Sequence, residues 1–127
     1  MNLLDHEAAW KAAITAKTGV PTLTYDETTS APRFVRISVT RAARETPWAC
    51  GTRRALGYRL TTLAVAENRS DVQELRHRIA GLQDRRLPEI QADRLAPDGE
   101  SDDPTKDRDF LWNGFDSWLY VTPNPNH

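Results

Sequence analysis

Cys50 is the only cysteine of the chain, and its thiol is the side chain best suited to nucleophilic chemistry. It is flanked by Trp48 and Gly51 and lies close to Arg53 and Arg54, whose positive charges favour a thiolate. No histidine is nearby in the sequence to act as its base. We therefore predict that Cys50 is not catalytic. A lone cysteine also forms no internal disulfide, which fits a reducing cytoplasm.

The histidines and acids offer little for metal binding or acid–base catalysis. His6, His77 and His127 are scattered, and only His6 has acids beside it, whereas a metal site needs several ligands at defined spacing. Each histidine is predicted to be a solvated side chain. The sequence has no calcium loop, phosphate loop, dinucleotide-binding glycine pattern or nucleophile elbow. The expected protein is not an enzyme and has no catalytic residues, no metal and no cofactor.

The strongest chemical signal is the separation of charge along the chain. Seven arginines and one acid give the range 33–59 a formal charge of +6, and seven acids and two bases give the range 98–116 a charge of -5. Two solvated loops, a nucleic-acid surface, or a head-to-tail contact between copies would each use such charges. For nucleic acid, Trp48 alone is at hand for stacking. The residues predicted for an interface with another copy or a partner are Arg41, Arg44, Arg53, Arg54, Asp102, Asp103, Asp107 and Asp109.

Length and composition indicate one soluble domain, 1–127. A chain of 127 residues buries a single core, and 39% hydrophobic residues are ordinary for a globular protein. The sequence has no apolar run near the roughly 20 residues that a membrane helix needs. Its first residues lack the basic and apolar regions of a signal peptide. A cytosolic protein without membrane contact is expected.

The first predicted element is a helix. Asn2 caps a helix that runs from Leu3 to about Lys17, and Gly19 and Pro21 end it. A short strand candidate, Thr22–Asp26, follows. The modest apolar stripe of the helix consists of Leu3, Leu4, Trp10, Ala13, Ile14 and Lys17.

Two alternating segments predict an antiparallel pair of strands. The range Arg33–Thr40 places Val35, Ile37 and Val39 on one face. The second strand begins at Tyr58, and its residues on one face are Tyr58, Leu60, Thr62 and Ala64. A long arm, residues about 41–57, joins the two strands. A connection of this length in a small domain indicates a function in binding or assembly, or disorder.

The second strand passes directly into a helix through the polar run Glu67–Arg69, a corner where an enzyme could place catalytic groups. Ser70 and Gln73 match a capping box, which predicts a helix from about Asp71 to Leu82. Its apolar stripe consists of Val72, Leu75, Ile79 and Leu82, with Arg76 among the residues that point elsewhere. An amphipathic helix on a sheet explains this corner without catalysis.

The rest of the chain predicts a second half of the sheet. A short strand candidate, Glu89–Ala96, precedes an acidic loop at about 97–109, and the aromatic-rich range Phe110–Thr122 reads as strand. Within it, Asn113-Gly114 is either a two-residue hairpin turn or a bulge. A tail, 123–127, ends the chain. The predicted fold is α+β: a mixed, mainly antiparallel sheet flanked by two helices, with a long β-hairpin arm.

This order of segments resembles the tail terminator (tail-to-head joining) proteins of long-tailed bacteriophages, especially those of actinobacterial hosts. The resemblance covers nearly the whole chain. It rests on the helix ending "TGVP", the strand "RFVRISV", the long arm, the strand and helix "YRLTTLAVAENRSDVQELRHRIAGL", the acidic loop, and the last strand "DFLWNGFDSWLYVT". The arginine- and alanine-rich composition is consistent with a GC-rich host.

The resemblance implies a structural virion protein of the head–tail junction, assembled in the host cytoplasm. Such proteins form a six-membered ring on the finished tail tube, stop tube polymerisation and offer a surface to the head-completion or connector protein. They have no catalytic residues, and DNA passes through the ring lumen without specific binding. Two alternatives stay open: another head–tail joining protein, such as a head-completion or stopper protein, and a small nucleic-acid-binding regulator.

Overall fold

The structure, a computed structural model, describes residues 2–42, 55–84, 87–88, 92, 95–107 and 111–123. Over these ranges the chain forms two α-helices and a six-stranded mixed sheet, which confirms the predicted α+β class. A 3-10 helical turn, Gly81–Asp84, follows the second helix. The elements are α1 (Leu3–Thr18), β1 (Thr22–Leu23), β2 (Phe34–Arg41), β3 (Ala55–Ala66), α2 (Arg69–Ala80), β4 (Ala96–Pro97), β5 (Thr105–Lys106) and β6 (Trp112–Pro123).

The sheet has the strand order β1-β2-β3-β6-β4, and β5 also pairs with β6. Strands β1 and β2 are parallel, and the other pairs are antiparallel. The predicted pairing of β2 with β3 is confirmed, with Phe34 opposite Val65 and Arg41 opposite Tyr58. Residues 43–54 of the predicted arm lie outside the described residues.

Alternation in β2 and β3 places the predicted residues in the core. Val35, Ile37 and Val39 are buried on β2, and so are the four residues predicted to share a face of β3. Both helices pack on this face of the sheet and contact each other. The two helices therefore flank the sheet as predicted, and both lie on the same face. The main core cluster includes Trp10, Ile14, Val35, Ile37, Leu60, Ile79, Leu82, Trp118 and Tyr120.

Helix α1 begins and ends where the sequence predicts. The side chain of Asn2 accepts from the backbone N–H of Asp5, and the Asp5 carboxylate accepts from that of Asn2, so the N-terminus has a capping box. Gly19 ends the helix in the left-handed region at φ 76°. The predicted stripe is wrong at Leu3 and Leu4, which are 36% and 72% exposed. The buried side follows a four-residue spacing through His6, Trp10, Ile14 and Thr18, two of which are polar and do not register in an apolar pattern.

Helix α2 begins at Arg69, two residues before the predicted start. Asn68 is its N-cap: the Asn68 side-chain oxygen accepts from the Asp71 backbone N–H, so the predicted capping box at Ser70 is wrong. Both side chains are good caps, and Asn68 holds the extended backbone that a cap requires. The predicted stripe is confirmed, because Val72, Leu75, Ile79 and Leu82 are all buried.

Strand β6 is a single strand of 12 residues. It pairs with β3 in one register from Ala66 opposite Trp112 to Ala55 opposite Pro123, so Asn113-Gly114 forms neither a turn nor a bulge. The predicted strand at 22–26 is shorter, because Thr24 instead bonds to Asp26 and Glu27 in a turn. Within the predicted strand 89–96, the structure describes Ala92, which bridges to Leu87, and the end of the range, which joins β4. Residues 124–127 lie outside the described residues.

Arg76 of α2 passes directly over Gly114 of β6. A Cβ atom at this position would lie 2.7 Å from Cδ of Arg76. Gly114→Ala is therefore expected to push the Arg76 side chain away and to lower the free energy of unfolding by about 1–3 kcal/mol. Chemical denaturation measures the change. The control Gly81→Ala has ordinary helical φ and meets only the flexible end of Lys17, so equal losses in both variants would contradict this assignment.

Candidate interaction surface

The predicted interface residues that the structure describes lie near two opposite edges of the sheet. Arg41 is exposed at the end of β2, the strand that lies between β1 and β3. The exposed acids Asp102, Asp103 and Asp107 precede and follow β5 on the opposite side, beyond β3 and β6. The structure brings these acids into one region and keeps Arg41 apart from them. The other predicted interface residues, Arg44, Arg53, Arg54 and Asp109, lie outside the described residues, as do Cys50 and His127.

The outer backbone edge beside Arg41 has no strand partner among the described residues. Pairing of β2 with β1 stops at Arg36, so within the described ranges the outer edge of β2 from Ile37 to Arg41 has no strand partner. The Ala42 N–H donates to the Gly57 carbonyl on the β3 side, and the direction of these groups alternates along a strand. The N–H of Arg41 therefore points to the outer edge, as expected for an edge strand that can accept a neighbour.

Several charges of the two ranges pair within the chain. Arg59 of β3 contacts Asp98 with Nε and Oδ2 2.9 Å apart, and Arg33 contacts Asp71 at 2.8 Å. Arg36 donates to two backbone carbonyl oxygens of the segment between β1 and β2, at 2.8 Å each. Only some of the charged side chains in these two ranges are therefore available to contact a partner.

Arg76 and Asp116 form a buried ion pair that the sequence reading missed. Arg76 Nε lies 2.8 Å from one carboxylate oxygen of Asp116, and Nη2 lies 3.0 Å from the other. The guanidinium also donates to the Gln73 side chain and to the backbone carbonyls of Asp102 and Phe115. These five contacts match the five N–H donors of an arginine. The hydrogen bonds to Asp116 raise the pKa of Arg76 above its ordinary value.

This ion pair positions the acidic loop. Asp116 accepts a hydrogen bond from the hydroxyl of Ser101, and the backbone of Asp102 is bound by Arg76. At the other end of the loop, the N–H of Asp98 donates to the Ser117 carbonyl. The carboxylates of Asp102 and Asp103 are thereby presented on an anchored backbone. They border an open cleft of about 310 Å³ between the loop and α2, whose walls include Gln73, His77, Ala80 and Trp118.

A signal for this pair was present in the sequence. Arg76 follows Val72 by four residues and so shares the buried side of α2. Asp116 alternates with Trp118 and Tyr120, which both face the core. A charged residue at a core-facing position of two predicted elements indicates a buried pair, because an unpaired buried charge is costly.

The prediction of solvated histidines is wrong for His6, whereas His77 is exposed. His6 is 2% exposed, and its Nδ1 lies 2.6 Å from the hydroxyl oxygen of Tyr120. Its ring stacks on Tyr58 with centroids 4.3 Å apart. Burial lowers the pKa of His6 and raises that of Tyr120, so both side chains are neutral at neutral pH. Through these contacts, His6 packs the start of α1 against Tyr58 of β3 and Tyr120 of β6.

Two features are absent from the described ranges: a cluster of metal ligands and a membrane-spanning helix. No group of three or more histidine, cysteine, aspartate and glutamate side chains there could hold a metal ion. No helix in the same ranges is long and apolar enough to cross a membrane.

A comparison with models of known protein families gives no match, and a comparison with curated proteins gives none either. The resemblance to tail terminators therefore stays a prediction from the order of elements.

Proposed function

We propose that this chain is a tail terminator of a long-tailed bacteriophage. Six copies form a ring on the end of the tail tube, stop its polymerisation and provide the surface that the head-completion or connector protein binds. The protein acts in the virion, at the head–tail junction, after assembly in the host cytoplasm. It has a structural role, with no catalytic step and no cofactor.

The observation that supports this proposal is the placement of opposite charges at opposite edges of one sheet. Arg41 lies at one edge of the sheet, where β2 has no strand partner beyond Arg36 within the described ranges. The exposed Asp102 and Asp103 lie at the other edge. A contact between unlike surfaces is heterologous, and copies joined in this way close into a ring when the rotation permits. Opposite charges also set the register of such a contact and suppress wrong pairings.

The two alternatives use the same features differently. Another head–tail joining protein, such as a head-completion or stopper protein, would also form a ring through these surfaces. A nucleic-acid-binding regulator has weaker support, because Arg33, Arg36 and Arg59 already contact groups of their own chain. Strongly salt-dependent DNA affinity would favour the regulator.

Electron microscopy of the purified protein, alone and mixed with tail tubes, tests the proposal directly. Rings that sit on tube ends and prevent tube growth are the expected result. Rings that bind a head connector and leave tubes uncapped would assign the protein to the other head–tail joining class. A protein that forms no rings and leaves tubes uncapped contradicts the proposal.

Reversal of the basic charges is expected to weaken assembly without unfolding the chain. Exposed ion pairs contribute only about 0–1 kcal/mol each, so the variant changes four arginines together. The substitutions are Arg41→Glu, Arg44→Glu, Arg53→Glu and Arg54→Glu. Analytical ultracentrifugation measures the oligomer, and circular dichroism confirms folding.

A charge-swap variant provides the matched control. It adds to the four reversed arginines the changes Asp102→Arg, Asp103→Arg, Asp107→Arg and Asp109→Arg. If basic and acidic surfaces meet across subunits, the swap restores assembly that the first variant has lost. Unchanged assembly and capping in the first variant would show that the basic segment is a solvated loop.

A further inference from the structure

The start of α1 is attached to the rest of the protein through one buried side chain. Over residues 2–9, only His6 is buried, Ala9 is partly buried against the core cluster, and Leu3 and Leu4 are exposed. The next anchors, Trp10 and Ile14, lie deeper in the core and hold the second half of the helix. The position of the first two turns therefore depends on the contacts of a titratable group.

The surroundings of His6 suit a neutral imidazole. The rings of Tyr58 and Tyr120 lie against it, and the Tyr120 hydroxyl can donate to Nδ1 of an unprotonated His6. Arg41, at the end of β2, places its guanidinium carbon 6.0 Å from the Tyr58 ring centroid and brings a positive charge to the same cluster. Asp5, on α1, is the charged group that favours the imidazolium.

Of these influences, burial is the largest. It lowers the pKa of His6 below the ordinary value of 6.5, the charge at the amino terminus lowers it further, and Asp5 opposes both effects. When the first turns of α1 leave the sheet, His6 enters water and its pKa returns to the ordinary value. The released state therefore binds a proton more tightly than the attached state.

We propose that His6 is a pH-sensitive latch: protonation of its imidazole releases the first two turns of α1 from β3 and β6, while Trp10 and Ile14 keep the rest of the helix in place. The latch is closed above pH 6.5, and it opens progressively as the pH falls from 6.5 towards the lower pKa of the attached state. Between these two values the equilibrium for opening rises by up to about tenfold per pH unit. This inference does not depend on the proposed ring.

Hydrogen exchange of the full-length protein tests the latch. The amides of Glu7 to Trp10 are compared at pH 7.5 and pH 5.5, after correction for the intrinsic rate of exchange. The amides of Leu75 to Ile79 in α2 serve as an internal control. Selective loss of protection in α1 at the lower pH is the expected result, and equal loss in both helices would mean that the whole domain opens, which overturns the latch.

Two variants separate His6 from other titrating groups. His6→Gln removes the ionisation, so protection of the first turns of α1 should become independent of pH. His77→Gln removes an exposed imidazole and should leave the pH dependence in place. NMR titration of the His6 ring in the unmodified protein provides a readout that needs no variant. A midpoint at or above 6.5 for His6, or a pH dependence that survives in His6→Gln, overturns the proposal.

Discussion

Arg76→Met is expected to lower the free energy of unfolding by about 3–5 kcal/mol, because it leaves the Asp116 carboxylate buried without its cation. The side chains of Arg76 and Asp116 are only 8% and 7% exposed, so the intact pair is largely removed from water. Among the described residues, the hydroxyl of Ser101 is the one hydrogen-bond donor that remains to the Asp116 carboxylate. Urea denaturation at neutral pH measures the loss.

An exposed ion pair on the same helix provides the control. Arg78 contacts Glu74 one turn away at 2.7 Å, and both side chains are about half exposed. Arg78→Met should cost only about 0.3–0.5 kcal/mol. The double variant Arg76→Met with Asp116→Leu removes both buried charges and should be more stable than Arg76→Met alone. A loss in Arg76→Met no larger than that in Arg78→Met would contradict the buried pair.

Leu75→Ala is the second large effect, with an expected loss of about 2–5 kcal/mol. Leu75 is 5% exposed and packs in a cluster with Ala64, Ala66 and Val72 between α2 and β3. Its truncation removes apolar contacts and leaves a cavity, since the helix is held on both sides by neighbouring turns. The same denaturation experiment measures the change.

A substitution at the neighbouring Glu74 is the control that distinguishes an effect of packing from an effect of helix propensity. Glu74→Ala changes an exposed side chain of the same turn to the best helix former and should alter stability by no more than about 0.5 kcal/mol. Similar midpoints for Leu75→Ala and Glu74→Ala would show that this side of α2 is not packed on the sheet.

Both predictions bear on the proposed interface as well as on stability. Arg76 holds the backbone of Asp102, and Asp116 holds Ser101, so loss of the pair also frees the acidic loop. We expect Arg76→Met to weaken ring assembly beyond its effect on folding. Leu75 packs instead with Ala64, Ala66 and Val72 between α2 and β3. Leu75→Ala should weaken assembly only at temperatures where the domain unfolds.

Local patterns in the sequence determined most of the elements. The alternation in β2 and β3, the four-residue recurrence along α2, and the Asn2 and Gly19 ends of α1 each depend on side chains within one or two turns or a few strand positions. Such patterns act through local geometry and the burial of one face, so they can be read without knowledge of the partner. They led to the correct class, α+β, and to most of its core. The prediction of the interface residues rests on their charge alone. The structure describes the location of half of these residues.

Only the tertiary structure decided which polar residues are buried. Arg76 and Asp116 are 40 positions apart, and His6 and Tyr120 are 114 apart. The charged and titratable side chains of these pairs are stable in the core because each one meets a hydrogen-bond partner from a distant part of the chain. Gly114 shows the same dependence: the Asn113-Gly114 turn signal lies within β6, and the close approach of Arg76 to Gly114 exists only in the folded chain. The sequence by itself determined where the chain forms helices and strands, because those choices are local. The partners of the charged and polar groups were decided by the folded sheet, because only folding brings distant residues within hydrogen-bonding distance.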